Sequence, residues 1–376
     1  MTFITLESRQ NSKVLYENNH LLVNCLPKGN DRTWSFNTIA DNHETTIAQL
    51  LAECQEIANC APENLREKHR EISGKIRASL QTFKTVGLST KGFPLTDTVP
   101  KWQLLELGRV SADIVDHICD TTPKQPYYEN LLDINRVVYD IAGRPVRFEA
   151  GKDQGYIPEV GYLRYKMFNS KTCRLTTGKD SFPMNLQKEL RKFVIPENDS
   201  FIEIDVNGMD IRIFIALLGH EQPVEDIHVF NQDILGVTDR GEAKQKFFSW
   251  FYDPTKRNKK LENFYDRTIL LDRFGDSEYN LLTPFMKRLP SDDFHWLNHL
   301  VQTTASMTFW EQSAKVFKLL RDRPTYIKLL NHDSILLDYS NTDADIVDLI
   351  ADTFSNTRFG TFKCSMTKWN RWCEDK

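Results

Sequence analysis

No apolar run in this chain reaches the ~18 to 20 residues needed to cross a bilayer. The opening stretch, MTFITLESRQNSKVLYENN, has neither the apolar core of a secretory signal nor an Arg-rich transit pattern. These absences predict an intracellular, cytoplasmic protein with no membrane partner. Cysteine is sparse and irregular: 7 residues, Cys25, Cys54, Cys60, Cys119, Cys173, Cys364 and Cys373, form no CxxC. A zinc ribbon, a CxxC redox pair and a disulfide framework are thereby disfavoured, and reduced structural thiols are expected. A dominant charge is lacking too, because 48 basic and 52 acidic residues leave a net charge of −4. That excludes a uniformly basic nucleic-acid coat but not a locally basic channel. Internal repeats and low-complexity tracts are also missing.

What is present is an ordinary globular composition, 40% apolar and 27% charged over 376 residues, enough for two or three structural units at roughly 150 residues each. Residues 1–43 read as mixed strand and loop. Glu44 to about Lys84 has helical spacing broken near Ala61-Pro62, which predicts a helical hairpin whose second arm carries Arg66, Lys68, Arg70, Lys75, Arg77 and Lys84. A second basic cluster comprises Lys244, Lys246, Lys256, Arg257, Lys259 and Lys260. VGLSTKGFPLTDTVPK, rich in Gly, Pro, Ser and Thr, is the best linker candidate. Another helix is expected from Trp102 to Cys119. SFIEIDV alternates apolar and polar residues as a strand ending at Asp205; Asn207-Gly208 makes a turn, and MDIRIFIALL then reads as a helix closed by Gly219. Arg240 to Tyr252 is predicted helical, with an Asp239-x-x-Glu242 capping box in front and Asp253-Pro254 behind. YIKLL and ILLDY flank NHDS, a β-hairpin with Asp333 at its turn.

Three of these elements carry chemistry. Magnesium prefers hard oxygen ligands and keeps much of its water, so two carboxylates such as Asp205 and Asp333, completed by substrate phosphates, suffice for a nucleotide site. Two ions about 4 Å apart activate an attacking hydroxyl and steady a leaving pyrophosphate. Residues four apart on a helix share a face, so Arg240, Lys244, Phe248 and Tyr252 form one stripe. Its cations match phosphates, where they stabilise transition-state charge, and its rings match sugar and base. Taken singly, each feature has a plainer explanation. A helix with Phe247, Phe248, Trp250, Phe251 and Tyr252 is more often simply packed in a core. Asp205 alone would be a strand-end cap, Asp210 and Arg212 an ion pair at a helix start, and His332 a turn residue.

Together the residues resemble family A DNA polymerases, the group that includes bacterial DNA polymerase I. The family's D-Y-S-Q-I-E-L-R stands here as Asp205-Val-Asn-Gly-Met-Asp210-Ile-Arg212. Its R-x3-K-x3-F-G-x2-Y-G is matched by Arg240, Lys244, Phe248-Ser249 and Tyr252-Asp253, and its V-H-D-E by Asn331-His332-Asp333-Ser334. Lesser signatures follow in order: NSKTCRLTTGKDSFPMNLQ with Arg174 and Gln187, RKFVIP, EDIH with His228, Asn298 and Gln302 as an N-x3-Q pair, and the closing TKWNRW. The resemblance runs from about Asp133 to the C-terminus.

It implies an α+β right-hand polymerase with an antiparallel-sheet palm, helical fingers and a reduced helical thumb. Residues 1–130 would hold the thumb, 131–219 the first part of the palm, 220–297 the fingers and 298–376 the rest of the palm. The implied activity is template-directed extension of a primer with dNTPs. Asp205 and Asp333, with the Val206 carbonyl, would hold two Mg2+ ions, for which Mn2+ could substitute. Arg240, Lys244 and His228 would face the triphosphate, with Lys244 in a catalytic role, and Phe248, Tyr252 and Asp210 the sugar and base. Arg174, Gln187, Asn298, Gln302, His332 and Arg212 would lie along the primer-template DNA. Residues 1–130 are too few for a thumb plus a 3′–5′ exonuclease and show no D-x-E start, so no proofreading is expected. A separate exonuclease, primase or processivity factor is a conceivable partner, and the compact form suggests a phage or mobile element. Ser334 replaces a carboxylate, Asp210 a longer Glu, Ser249 and Asp253 two glycines, and Phe294 an Arg. A single-subunit RNA polymerase or primase-like enzyme, or a catalytically inactive polymerase-derived DNA-binding subunit, is the alternative reading.

Overall fold

Branched and aromatic residues favour extended backbone. The computed structural model describes residues 3–9, 12–25, 44–90, 93–149, 157–178, 181–276, 280–291 and 294–373. Near the N-terminus it forms the antiparallel sheet β1 (Phe3–Arg9), β2 (Ser12–Glu17) and β3 (His20–Val23). Residues 26–43, the remainder of the stretch predicted as strand and loop, lie outside the described residues. The chain divides into two units, Met1–Tyr128 and Glu129–Lys376.

In the first unit the expected helical hairpin is α1 (Glu44–Ala52), a 3-10 turn Ile57–Cys60 and α2 (Glu63–Thr85). Short α3 (Leu95–Thr98) and long α4 (Lys101–Thr121) follow. Ile4, Tyr16, Ala48, Val110, Ile114 and Ile118 share one apolar core, while Ile72 and Ile76 of α2 pack with Leu104. Burying each large side chain contributes roughly 1.5–3 kcal/mol. The segment predicted as a linker is instead part of this unit. Pro94 and Pro100 stand at the N-caps of α3 and α4, Val99 is buried, and the Leu95 N–H donates to Glu7 Oε2 at 2.9 Å, tying α3 to β1. Proline there starts helices, a place where its missing N–H costs nothing.

The second unit begins with α5 (Tyr128–Gly143). Short strands follow: β4 (Val146–Phe148) lies between β5 (Val160–Gly161) and β8 (Val194–Ile195), and β6 (Tyr165–Lys166) pairs with β7 (Thr176–Thr177). After β9 (Ser200–Val206) come α6 (Met209–Leu218), α7 (Ile227–Leu235), α8 (Arg240–Tyr252), α9 (Lys259–Phe264) and α10 (Arg267–Phe274). The hairpin β10 (Asn280–Leu282) and β11 (Arg288–Pro290) leads into α11 (Trp296–Leu319). The chain then forms β12 (Tyr326–Asn331), β13 (Ser334–Tyr339), α12 (Val347–Ser355), β14 (Asn356–Thr357), β15 (Gly360–Thr361) and β16 (Cys364–Trp369).

The central sheet of this unit has the order β12-β13-β9-β16, antiparallel throughout. The fold is therefore mixed α and β with antiparallel sheets. β9, expected to alternate between a buried and a wet face, is buried along its length except at Asp205. Register places Ser334 and Ser365 on either side of Asp205, and Leu336 and Thr367 on either side of Glu203. Directly opposed residues share a face, so Asp205 and Glu203 lie with Ser334, Ser365 and Thr367 in one polar patch on the sheet. Among the described residues no helix is long and apolar enough to cross a membrane.

Candidate active site

Asp205 ends the strand because Asn207-Gly208 turns the chain immediately. Gly208 has φ 66°, and a Cβ there would come within 2.5 Å of Ile227 Cγ2, so the turn requires glycine. α6 starts at the next residue. On the neighbouring strands the two-residue tip His332–Asp333 joins β12 to β13, with His332 at φ 55° and the Asp333 N–H donating to Asn331 O at 2.7 Å. The Val206 N–H donates to the Asp333 carbonyl at 3.1 Å, so the two candidate metal carboxylates belong to backbones that are hydrogen-bonded side by side.

Asp210, in the first turn of α6, is the meeting point. Its Oδ2 accepts from Arg174 Nη2 at 2.9 Å and from the Tyr252 hydroxyl at 3.1 Å. Burial and then the charge of Asp210 raise the Tyr252 hydroxyl pKa, and Gln302 on α11 acts in the opposite sense to Asp210, lowering it. Asp333 is pushed up to about 6, first by burial and then by the Asp210 carboxylate, with Glu203 adding to the effect and Arg174 opposing it. Ser334 is buried and donates to Glu203 Oε1 and Asn331 O, both at 3.3 Å.

The helix of the predicted stripe has two faces. Ala243, Phe247, Trp250 and Phe251 are buried and pack in an aromatic cluster with Phe214 and Tyr265; Phe214 lies 5.0 Å from Phe251 and Phe247 lies 5.5 Å from Tyr265. That is the plain core explanation, and it accounts for these four. Arg240 and Lys244 are exposed, and Phe248 and Tyr252 half-buried, with the last two rings stacked 5.5 Å apart at 6°. The capping box is only half formed: Asp239 accepts from the Glu242 N–H at 2.6 Å, whereas the Glu242 carboxylate turns to Lys246 at 2.6 Å. An exposed lysine one turn on is the stronger partner for a carboxylate than a neutral N–H. Asp253 accepts from the Thr255 N–H and hydroxyl at 3.0 and 2.6 Å, so it terminates the helix at Pro254.

His228 is buried on α7 beside Phe248, with ring centroids 5.8 Å apart, and its Nδ1 has no hydrogen-bond partner among the described residues. Burial, then Arg240, lowers its pKa to about 4, so the ring is neutral near pH 7. Asn298 and Gln302 lie one turn apart on α11, and Asn298 Oδ1 is likewise buried without a partner among those residues. Gln187 is exposed at the start of the 3-10 turn Lys188–Phe193. The bonds converging on Asp210 do not extend to it.

Arg212 must be corrected. It is neither a DNA contact nor the partner of Asp210, being fully buried with its guanidinium donating to Asn207 O, Asn207 Oδ1, Pro223 O and Glu225 O. Four of its five N–H donors are committed inside the protein, and its complete burial keeps the fifth from a phosphate in solution. Two carboxylates escaped the sequence reading. Glu203 lies two residues before Asp205, and period two alone places both on one face. Asp226 immediately precedes α7 and was passed over for His228 in EDIH, although an N-cap position signals it.

No protein-family model matches the chain, and no curated protein matches it in sequence. One solved structure similar to it is the POL domain of Pol1 from M. smegmatis, in complex with DNA primer-template and dNTP. Identity is 12%, the TM-score 0.47, and the match covers 88% of this chain and 69% of that one. A likeness this weak decides neither family nor reaction, and the chemistry rests on the site itself.

Among the described residues no group of three or more His, Cys, Asp or Glu side chains forms a metal cage. The donor set is nevertheless of the kind magnesium takes. Carboxylate oxygens on adjacent backbones fit a hard cation whose remaining ligands would come from water and phosphate, and burial, then the Asp210 carboxylate, disfavours the charged form of Asp333.

Proposed function

We propose that the protein is a template-directed DNA polymerase, extending a primer 3′ end with dNTPs in a magnesium-dependent nucleotidyl transfer. The observation that carries this reading is the junction at Asp210, where Tyr252 from the cation-and-ring stripe and Arg174 meet one carboxylate whose charge also acts on Asp333. Three sequence motifs far apart in the chain thus meet around one site.

In this reading Asp205 and Asp333 hold Mg2+, with the Val206 carbonyl a further ligand. The bound ions supply activation of the primer hydroxyl and neutralisation of the leaving pyrophosphate. Lys244 and Arg240 face the triphosphate and oppose the charge that develops on it. The Phe248 and Tyr252 rings, stacked on each other, receive the sugar and base. Asp210, held by Tyr252 and Arg174, lies where a ribose 2′ hydroxyl would come, and its single methylene makes that exclusion looser than a Glu would. His332, Gln302 and Asn298 line the primer-template end, together with Gln187. The β12-β13-β9-β16 sheet serves as palm and α7 to α10 as fingers. α2, with exposed Lys68, Arg70, Arg77 and Lys84, serves as a thumb gripping phosphates. No proofreading is assigned to this chain.

Extension of a primed template with dNTPs and, separately, with rNTPs tests the reading. Preferential dNTP addition in the presence of Mg2+ is expected. A clear preference for rNTPs would assign the chain to RNA synthesis, and no extension with either would leave only a binding role.

A further inference from the structure

Asp226, just before α7, accepts five hydrogen bonds. Its Oδ1 accepts from the His228 and Val229 N–H groups at 2.9 and 3.2 Å, capping α7, and from Arg240 Nε at 3.1 Å. Its Oδ2 accepts from Asn207 Nδ2 and Arg240 Nη2, both at 2.7 Å. Helix capping explains Oδ1 alone. Oδ2 meets no helix N–H and is devoted to Asn207 and Arg240. Asn207 lies two residues past Asp205 and is itself fixed, since its Oδ1 accepts the Ile227 N–H at 2.7 Å and its carbonyl accepts Arg212 Nε at 2.8 Å. An unbroken path of bonds therefore runs from the end of β9 through Asn207 and Asp226 to the first residue of α8.

A guanidinium is a rigid fork with five N–H donors, and a carboxylate can hold one edge while the other stays available. The pair with Asp226 uses the Nε and Nη2 edge, and the Arg240 side chain remains 51% exposed. We infer that Asp226 is a positioning residue, which anchors Arg240 by that edge and presents its Nη1 edge to the triphosphate of the incoming nucleotide. The inference rests on the nucleotide-binding reading of α8. A free arginine loses rotamer freedom on reaching a phosphate, whereas an anchored one has lost it beforehand. The path through Asn207 also sets that guanidinium in register with the strand that carries Asp205.

The test is equilibrium binding of a Mg2+-dNTP to the enzyme with primer-template, for wild type, Asp226→Asn, Arg240→Ala and the double variant. Asn keeps a cap oxygen for α7 but loses the charge, so its melting temperature is expected to stay within a few degrees of wild type. Asp226→Asn is expected to weaken nucleotide binding about tenfold, to raise KM with kcat changed less than about twofold, and to add nothing in the Arg240→Ala background. Asp226→Glu should recover part of the loss. Arg240→Lys, which retains charge without the bidentate edge, should match Asp226→Asn and serves if that variant does not fold. An equal further loss in the Arg240→Ala background, no loss at all, or a wild type that binds no triphosphate would overturn the inference. Coupled losses in a wild type that binds nucleotide but extends no primer would remove the polymerase reading and keep this one. Robust extension with purely additive losses would do the reverse.

Discussion

The N–H of Val206 donates to the carbonyl of Asp333 at 3.1 Å, fastening the end of one strand to the tip of the neighbouring hairpin. Because the residue before Val206 is Asp205, this bond sets the backbones that carry the two candidate metal carboxylates side by side. Burial, and then the Asp210 carboxylate, disfavours the charged form of Asp333, and the first prediction follows from that.

The Asp333 carboxyl is raised from 3.8 to about 6 by burial and by Asp210. A group whose folded pKa is raised contributes stability that is fully present below the unfolded value and lost as pH rises through the folded one. The metal-free protein should therefore lose stability between about pH 4 and 6 through this group. Asp333→Asn should restore on the order of 1–2 kcal/mol at pH 8, after discounting for solvent screening, and nothing at pH 4. Urea denaturation of both proteins at the two pH values checks this; equal stabilities at pH 8 would show that the carboxyl is not strained. Mg2+ should stabilise wild type at pH 8 and much less at pH 5, where protons compete for Asp333.

Asp210→Ala removes the acceptor shared by Tyr252 and Arg174. Losing hydrogen bonds to a charged group costs about 1.5–3 kcal/mol, which corresponds to roughly 10- to 100-fold in rate or affinity. Discrimination between dNTP and rNTP should fall by about that factor, read as the ratio of kcat/KM values. Unchanged discrimination would detach Asp210 from sugar recognition.

Arg212→Ala should destabilise the fold by about 3 kcal/mol or more, since it takes the guanidinium donors from the Asn207, Pro223 and Glu225 carbonyls and leaves Asn207 Oδ1 with the Ile227 N–H alone. DNA affinity of the folded fraction, and its salt dependence, should be unchanged. A flatter salt slope would mean that Arg212 reaches phosphate after all.

Ser334→Glu, which supplies the carboxylate found at this place in the V-H-D-E motif that the sequence resembles, would put a charge directly opposite Asp205 and beside buried Glu203. A loss of on the order of 3 kcal/mol is expected in the metal-free protein, as for a buried charge without a partner, and Mg2+ should recover part of it. Calorimetry with and without Mg2+ measures both. A variant as stable as wild type would show that this sheet face tolerates a third carboxylate.

Much of this arrangement was legible in the sequence, and the exceptions have physical causes. Helices such as 240–252 announced themselves through period and caps, and the NHDS hairpin through flanking apolar runs. Local rules could not decide which side of α8 faces the core, because both faces carry aromatics; only Phe214 and Tyr265, brought in from elsewhere in the chain, settle that Phe247 and Phe251 point inward. Arg212 was misread because a cation in a site motif looks like a ligand, and its burial depends on carbonyls 11 and 13 residues away. The segment 86–101 has a linker's composition, yet its prolines start helices. Asp226 was visible as an N-cap, but its second oxygen has no local signature.

The central claim is that Asp205 and Asp333 together hold the metal that makes the transfer possible. Its most direct measurement compares primer extension and primer-template binding for Asp205→Ala and Asp333→Ala with wild type at saturating Mg2+. The account expects each variant to lose at least about a thousandfold in extension rate, several kcal/mol of transition-state stabilisation, while DNA affinity stays within a fewfold. Extension at wild-type rate by both variants would contradict it.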